Sequence, residues 1–291
     1  MKNILFSIII PTHNRASRIK TSINSILGQT YSDFEILIVD DGSTDNTEDV
    51  VKSINDPRIR YFKKQNKERA IARNYGILRA QGDYLTFLDS DDLVYPNHFE
   101  IASCIIQEQG NPEWFHLGYE VKDEKGKILR QENKRRGNLG EQLLTGNHLS
   151  CIGVFVRKDI IQQNLFNEDP DLIGSEDYEL WLRLAAQFPL YYSNEITSCV
   201  IQHSQRSVIS SFDSNKLEKR IGKIIVIVAT NKIFTPNQQN AFIAHRYLYL
   251  ALHLALLKER QKAIKYFLDA IKLKPQLIFH RKTAGFVKNL L

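Results

Sequence analysis

Three apolar runs in the first ninety residues each end in a polar or acidic cluster, and this pattern limits the folds open to the chain. Ile4–Ile10 runs into Pro11-Thr12-His13-Asn14-Arg15, Phe34–Val39 into Asp40-Asp41-Gly42-Ser43-Thr44-Asp45, and Tyr84–Leu88 into Asp89-Ser90-Asp91-Asp92. A nearly continuous apolar run of this length is the signature of a strand buried on both faces. Helical signals separate the runs. Ile19, Ile23, Ile26 and Leu27 follow helical spacing, Ser43-Thr44-Asp45 offers N-caps for a short helix through Ile54, and Glu68–Ala80 reads as a helix after a strand at Ile59–Phe62. Strands alternating with helices imply a parallel sheet with right-handed crossovers. Ligands of such sheets sit beyond the carboxyl ends of the strands, where all three clusters fall.

The rest of the chain is more mixed. Pro96–Gln109 reads as a helix, Trp114–Val121 and Ile152–Val156 as strands, and Asp123–Lys127 as a turn around Gly126. Lys134-Arg135-Arg136-Gly137 is a basic loop, and Glu176–Gln187 is a helix with Leu180, Trp181 and Leu184 facing inward. Tyr191–His203 reads as one or two short strands. From Asn215 onward the pattern is helical, broken near Thr235-Pro236 and Pro275. Tyr247, Leu250, Ala251, Leu254, Ala263, Phe267, Ala270 and Pro275 match tetratricopeptide spacing over 244–277. One copy lacks the neighbours such repeats need, and an ordinary helical hairpin is the favoured reading. The expected division is a domain at 1–212, in halves 1–95 and 96–212, followed by a helical region at 213–291.

With 291 residues, 43% hydrophobic and 25% charged, the chain can bury a sizeable core, which excludes disordered and collagen-like classes. Cys104, Cys151 and Cys199 lie far apart with no CxxC, which excludes a disulfide-rich scaffold and suits a reducing cytosol. The longest apolar run, Tyr247–Leu257, falls short of the roughly 18 residues a membrane span needs. The N-terminal apolar run is followed by polar residues rather than a small-residue cleavage site, so it reads as a strand and not a signal peptide.

Asp89 and Asp91, at i and i+2 on an extended segment, point the same way and converge. Carboxylates crowded at a strand end repel one another unless a cation joins them, and Mg²⁺ or Mn²⁺ with phosphate oxygens completing the shell suits such a pair. A solvated acidic loop is the plain alternative. Asp40–Asp45 is open to two readings as well, a turn with N-caps or a carboxylate that meets a base or ribose.

Taken together, Ser7–Arg15 (SIIIPTHNR), Phe34–Asp45 (FEILIVDDGSTD), Ala72–Ile77 (ARNYGI), Phe87–Leu93 (FLDSDDL) and Ser175–Leu184 (SEDYELWLRL) occur in this order. This set closely resembles the family 2 glycosyltransferases, densely over residues 4–95 and again near 150–205. The resemblance implies a GT-A fold: α/β, with a Rossmann-like, mixed but mainly parallel sheet flanked by helices, here carrying an appended all-α region. It implies that Asp41 bonds the uracil of a UDP donor, that Pro11, Thr12, His13 and Asn14 line the base pocket, that Arg15 is a further donor-binding residue, and that Arg73 faces the nucleotide. Asp89 and Asp91 match the DxD pair, with Asp91 as metal ligand and Asp89 as ribose contact. Asp92 is a competing neighbour. Asp177 matches the catalytic base, with Glu176 as the fallback. His203 occupies a position where similar proteins often present a histidine to the metal or diphosphate, although a structural role is also open.

The activity so implied is an inverting, metal-dependent transfer from a nucleotide-diphospho-sugar, UDP-sugar favoured, to a hydroxyl of a glycan or lipid-linked acceptor, as in bacterial-type surface polysaccharide biosynthesis. The competing classes are a sugar-nucleotidyltransferase, which would carry a GxGxR loop where Pro11–Arg15 has no glycine, and an aspartate phosphatase, which leaves Asp41 and Asp177 unexplained. A catalytically inactive nucleotide-sugar-binding or scaffold protein acting through its helical tail is the non-enzymatic alternative. No Walker A or GxGxxG pattern occurs, the QxxRW motif of processive synthases is absent, and no aromatic-interleaved basic stripe points to nucleic acid.

The charge is unevenly spread. Of a net +6, residues 258–291 carry nine lysines and arginines against Glu259 and Asp269, so the preceding 257 residues are nearly neutral. A solvated basic face and peripheral docking to the anionic inner face of a membrane are the two readings of that tail, the second giving a cytoplasmic, peripheral location.

Overall fold

The structure is a computed structural model and describes residues 3–131, 138–203, 213–231 and 234–290. The basic loop at 134–137 and the expected boundary at 212 lie outside these residues. Along the chain run β1 (Phe6–Thr12), α1 (Ile19–Leu27), β2 (Phe34–Asp40), α2 (Thr47–Lys52), β3 (Ile59–Lys63), α3 (Arg69–Ile77), β4 (Tyr84–Phe87), β5 (Leu93–Val94), α4 (His98–Glu108), β6 (Trp114–Asp123) and β7 (Ile128–Gln131). There follow α5 (Leu139–Leu143), β8 (Val154–Arg157), α6 (Lys158–Gln163), α7 (Glu176–Gln187), β9 (Tyr191–Gln202), α8 (Ser214–Thr230), α9 (Pro236–Leu256), α10 (Arg260–Leu273) and α11 (Arg281–Leu290). No helix among the described residues is long and apolar enough to cross a membrane.

The chain forms two compact units. The first comprises Met1–Leu139, Leu149–Glu168 and Phe188–Arg206, and the second Gly140–His148, Asp169–Gln187 and Ser207–Leu291. This departs from a single cut at 212, because side chains of the helical region capture two upstream segments. Arg246 Nη2 donates to the Thr145 carbonyl at 2.7 Å, Tyr178 Oη donates to the Leu143 carbonyl at 2.5 Å, and Lys223 pairs with Asp169 at 2.6 Å. The helix bearing Glu176 and Asp177 therefore belongs to the helical unit.

In the first unit one sheet runs β3-β2-β1-β4-β8-β6-β9-β5, with β7 alongside β6. The first four strands are parallel, as their alternation with helices predicts. Beyond β4 the sheet turns mixed, since β8 is antiparallel to both β4 and β6 while β6 and β9 are parallel. Among the described pairings the sheet is thus mixed, and its longest ladders, β1–β2 and β6–β9, are parallel, as the expected mixed but mainly parallel sheet requires.

Every residue of β1 is buried, as is every residue of β2. Phe6, Ile8 and Ile10 pack with Ile23 and Ile26 of α1 and with Phe99 and Ile106 of α4. Phe6 stacks on Phe99 at 5.1 Å, and Phe115 on Phe155 at 5.0 Å. Ile9, on the opposite face, meets α3 at Gly76, where an added Cβ would stand only 2.6 Å from Ile9 Cγ2. Alternate residues of one strand thus anchor helices on both sides of the sheet, and the strand ends stay fixed.

In the helical unit α9 starts at a capping box of Thr235 and Gln238 with Pro236 at its first position. Ala251, Leu254, Ala263 and Phe286 share one buried cluster, and Ala244, Leu248, Ala270 and Leu277 another. The small residues let α9 and α10 approach as a hairpin, and Lys258, at φ 63°, makes the turn. The spacing over 244–277 therefore marks a real helix pair, whose remaining faces are covered by α8 and α11 rather than by further repeats.

Candidate functional site

The three polar clusters follow the carboxyl ends of β1, β2 and β4, which are adjacent parallel strands. Asn14 sits in the left-handed region at φ 52°. Its side-chain carbonyl accepts from the Thr44 N–H at 2.9 Å, and its own N–H donates to Ser43 Oγ at 2.9 Å. Asp45 accepts from the Ala16 N–H at 3.1 Å, and the two loops are laced together. Burial opposes ionisation of Asp45, but the Thr47 hydroxyl and the N–H groups of Ala16 and Thr47 hold its carboxyl below the usual range.

The two aspartates ending β2 behave differently. Asp40 is fully buried, accepting from the Ser43 N–H at 2.7 Å and from Tyr61 Oη at 2.5 Å, so it serves the turn. Burial and then the Asp40 hydrogen bond push the Tyr61 phenol far up. Asp41 accepts from Lys64 Nζ and, at 3.0 Å, from the Lys67 N–H. His13 Nδ1 donates to the Asp41 carbonyl at 3.1 Å. Lys64 is thus a site residue that the sequence motifs did not single out. Lys64 was findable, because it directly follows β3, another parallel strand of the same sheet.

After β4, ligand atoms of Asp89, Asp91 and Asp92 lie within 4.8 Å of one another. Each carboxylate has its own support. Arg73, 1% exposed on α3, donates from Nη2 to Asp89 Oδ1 at 2.9 Å and stacks over Phe166. Asp91 Oδ2 receives His203 Nε2–H at 2.9 Å and lies 3.6 Å from Arg15 Nε. Asp92 Oδ1 accepts the Ile201 N–H of β9 at 2.9 Å. The cluster is built of hard carboxylate oxygens at the spacing a divalent cation spans, so the residues fit Mg²⁺ or Mn²⁺.

Pro11 and Thr12 are buried in β1, paired with Val39 and Asp40 of β2. The expected donor-side residues therefore assemble in the first unit. Asn14 spends its side chain on the Thr44–Asp45 backbone, and Arg15 leans to Asp91.

In the helical unit Glu176 is buried and accepts the Gly174 N–H at 2.7 Å. Asp177 is partly exposed at the start of α7. Its Oδ1 accepts the Tyr178 N–H at 2.7 Å and its Oδ2 accepts Asn147 Nδ2–H at 3.1 Å. Burial pushes the Tyr178 phenol up to about 12, with Arg246 opposing and Asp177 adding to the shift.

Residues 7–155 match the model of glycosyl transferase family 2. The chain belongs to that family. Among curated relatives of this family 2 chain, an uncharacterized glycosyltransferase of Rickettsia conorii, RC0461, is 38% identical over 213 residues, covering 69% of this chain and 35% of that protein. The chain thus spans about a third of the length of the first such relatives it matches. WfgD of Escherichia coli, described as a UDP-Glc:alpha-D-GlcNAc-diphosphoundecaprenol beta-1,3-glucosyltransferase, is 30% identical over 227 residues, covering 75% of this chain and 83% of that protein. The structure of S. aureus TarS 1-349 in complex with UDP-GlcNAc superposes with a TM-score of 0.75 at 19% identity, covering 99% of this chain and 89% of that one. That likeness bears out the GT-A fold expected of a family 2 chain.

Proposed function

We propose that this chain is a glycosyltransferase that moves a sugar from a nucleotide-diphospho-sugar, a UDP-sugar first among candidates, to a hydroxyl of a glycan or lipid-linked acceptor with inversion. The observation that carries the reading is the convergence of Asp89, Asp91 and Asp92 beyond parallel strand ends in a family 2 chain. WfgD, whose described donor is UDP-Glc and whose acceptor is diphosphoundecaprenol-linked, supports the choice of substrate classes.

In this reading Asp41, steadied by Lys64, bonds the nucleobase, and the backbone of Pro11 and Thr12 borders it. Arg73 orients Asp89 toward the ribose. Asp91, with Asp92 beside it and His203 behind it, holds a divalent cation. Such a cation, when bound, neutralises charge gathering on the departing diphosphate. Asp177, fixed through both oxygens yet partly exposed, accepts the acceptor's hydroxyl proton. The acceptor oxygen bonds to the anomeric carbon, the bond from that carbon to the diphosphate oxygen breaks, and the nucleotide leaves with the electron pair. Glu176 is the weaker candidate for base, since burial and the Gly174 bond commit it to its turn.

The basic surplus of residues 258–291 is read as attraction to an anionic membrane surface bearing the acceptor, at its cytoplasmic side. A nucleotide-release screen over UDP-, GDP- and dTDP-sugars with Mn²⁺ and a diphosphate-linked acceptor tests the activity. The expected result is acceptor-dependent UDP release. Donor binding without release under every combination would overturn it in favour of an inactive binding protein.

A further inference from the structure

Three cations and two imidazoles gather in the helical unit without a carboxylate among them. His245 and Arg246 lie on α9, Lys274 follows α10, and His280 and Lys282 flank the start of α11. The His245 and His280 rings are 5.6 Å apart. Lys282 Nζ and the Arg246 guanidinium carbon lie 5.7 and 5.8 Å from the centroid of one ring, Tyr249. His245 and Arg246 are each 5% exposed, while Lys274, His280 and Lys282 are half-buried. Among the described residues none of the five forms an ion pair, although Lys223 and Lys262 of the same unit do. His245 Nδ1 and Arg246 Nε are buried with no hydrogen-bond partner among those residues.

The mutual influence is all of one sign. Burial, with Arg246 and Arg281 adding, pushes the Lys282 ammonium down to about 8. Burial pushes His245 down to about 3, with Lys274, His280, Arg246 and Lys282 acting the same way. Drawing the charges of Arg246, Lys274 and Lys282 together costs free energy that an anion would recover, and the described residues supply none. Guanidinium and ammonium groups at such spacing match phosphate oxygens.

Two features narrow the anion. Arg246 holds the Thr145 carbonyl, and two residues on, Asn147 holds Asp177, so one short segment joins the cations to the proposed base. Ile278 and Phe279, immediately before His280, are 52% and 93% exposed, the exposure an apolar chain would cover.

We propose that His245, Arg246, Lys274, His280 and Lys282 form a binding site for the diphosphate of a lipid-borne acceptor, with Ile278 and Phe279 meeting its apolar chain. This rests on the acceptor class proposed above, but binding is measurable without turnover. Calorimetry on the full chain in EDTA, where no cation bridges a diphosphate to the Asp89–Asp92 cluster, would use two probes. These are inorganic pyrophosphate and farnesyl diphosphate below its micellar range.

The wild type is expected to bind both, the farnesyl compound about tenfold tighter. Lys274→Gln with Lys282→Gln should weaken both by about tenfold or more, and Phe279→Ser should weaken only the farnesyl compound. Unchanged melting temperatures would show that the variants fold. Asp177→Asn should leave both affinities intact, so an inactive enzyme that still binds separates the two proposals. Absence of binding, or affinities indifferent to the lysine substitutions, would overturn the site. Equal affinities for the two probes would overturn its assignment to a lipid-borne ligand.

Discussion

The two units solve opposite electrostatic problems. The strand-end region gathers Asp41, Asp89 and Asp91 and answers them from within, with Lys64, Arg73, and His203 with Arg15. The helical unit gathers His245, Arg246, Lys274, His280 and Lys282 and leaves them without a carboxylate partner among the described residues. A site whose charges are already paired can open those pairs to a ligand and recover them afterward. A site of unpaired like charges is complete only with an outside anion. The rigidity of the units differs in origin as well: β1 is locked on both faces by large side chains, whereas α9 and α10 meet through alanines.

The largest expected effect tests whether the chemistry resides in the helical unit. Asp177→Asn should lower kcat by ~10²–10⁴-fold while calorimetric donor affinity stays at the wild-type value. Turnover within a few-fold of wild type would remove Asp177 from the reaction. Next, Asp91→Asn should weaken the Mn²⁺ titration of donor binding by ~10–100-fold, and an unaltered titration would transfer that role to Asp89 or Asp92.

A paired glycine substitution sets the two kinds of packing against each other. Gly76→Ala drives a methyl toward Ile9 and should cost ~1–3 kcal/mol in urea unfolding. Gly222→Ala in α8 meets nothing within 4 Å and should stabilise by about 0.5–1 kcal/mol. Equal signs would show that the contrast in packing is wrong.

A further contrast concerns acid. Burial pushes His98 in the first unit and His245 in the second each down to about 3 from 6.5. Below pH 6.5 the unfolded chain takes up protons that the folded chain refuses, so stability is present above that value and lost as pH falls toward 3. Each histidine should withdraw about 2 kcal/mol by pH 5. High salt should relieve the part of this loss due to charge repulsion on His245 and leave the burial-driven loss at His98, which pH-dependent unfolding of His98→Gln and His245→Gln would separate.

Much of the first unit was legible in the sequence. A strand buried on both faces leaves a continuous apolar run, and β1, β2 and β4 and the three clusters after them follow from that local pattern. The helix pair at α9 and α10 was equally readable from small and apolar spacing. Strand β5, two residues long, and β7, wholly exposed, left no periodic signal. The bond of Asn14 to the Thr44 backbone left no signal either, because motif position does not reveal which loop a side chain meets.

By itself, then, the sequence determined the parallel half of the sheet, the acidic strand ends and the basic surplus of the tail, all of which depend on neighbours within a few residues. Only the tertiary structure decided that β8 inserts antiparallel between β4 and β6, and that Asp91 meets a histidine 112 residues away. It also decided that Asp177 rides with the helical unit, and that five scattered basic side chains lie together. Hydrogen bonds and like-charge contacts across such separations depend on how elements pack, and packing leaves no period in the chain.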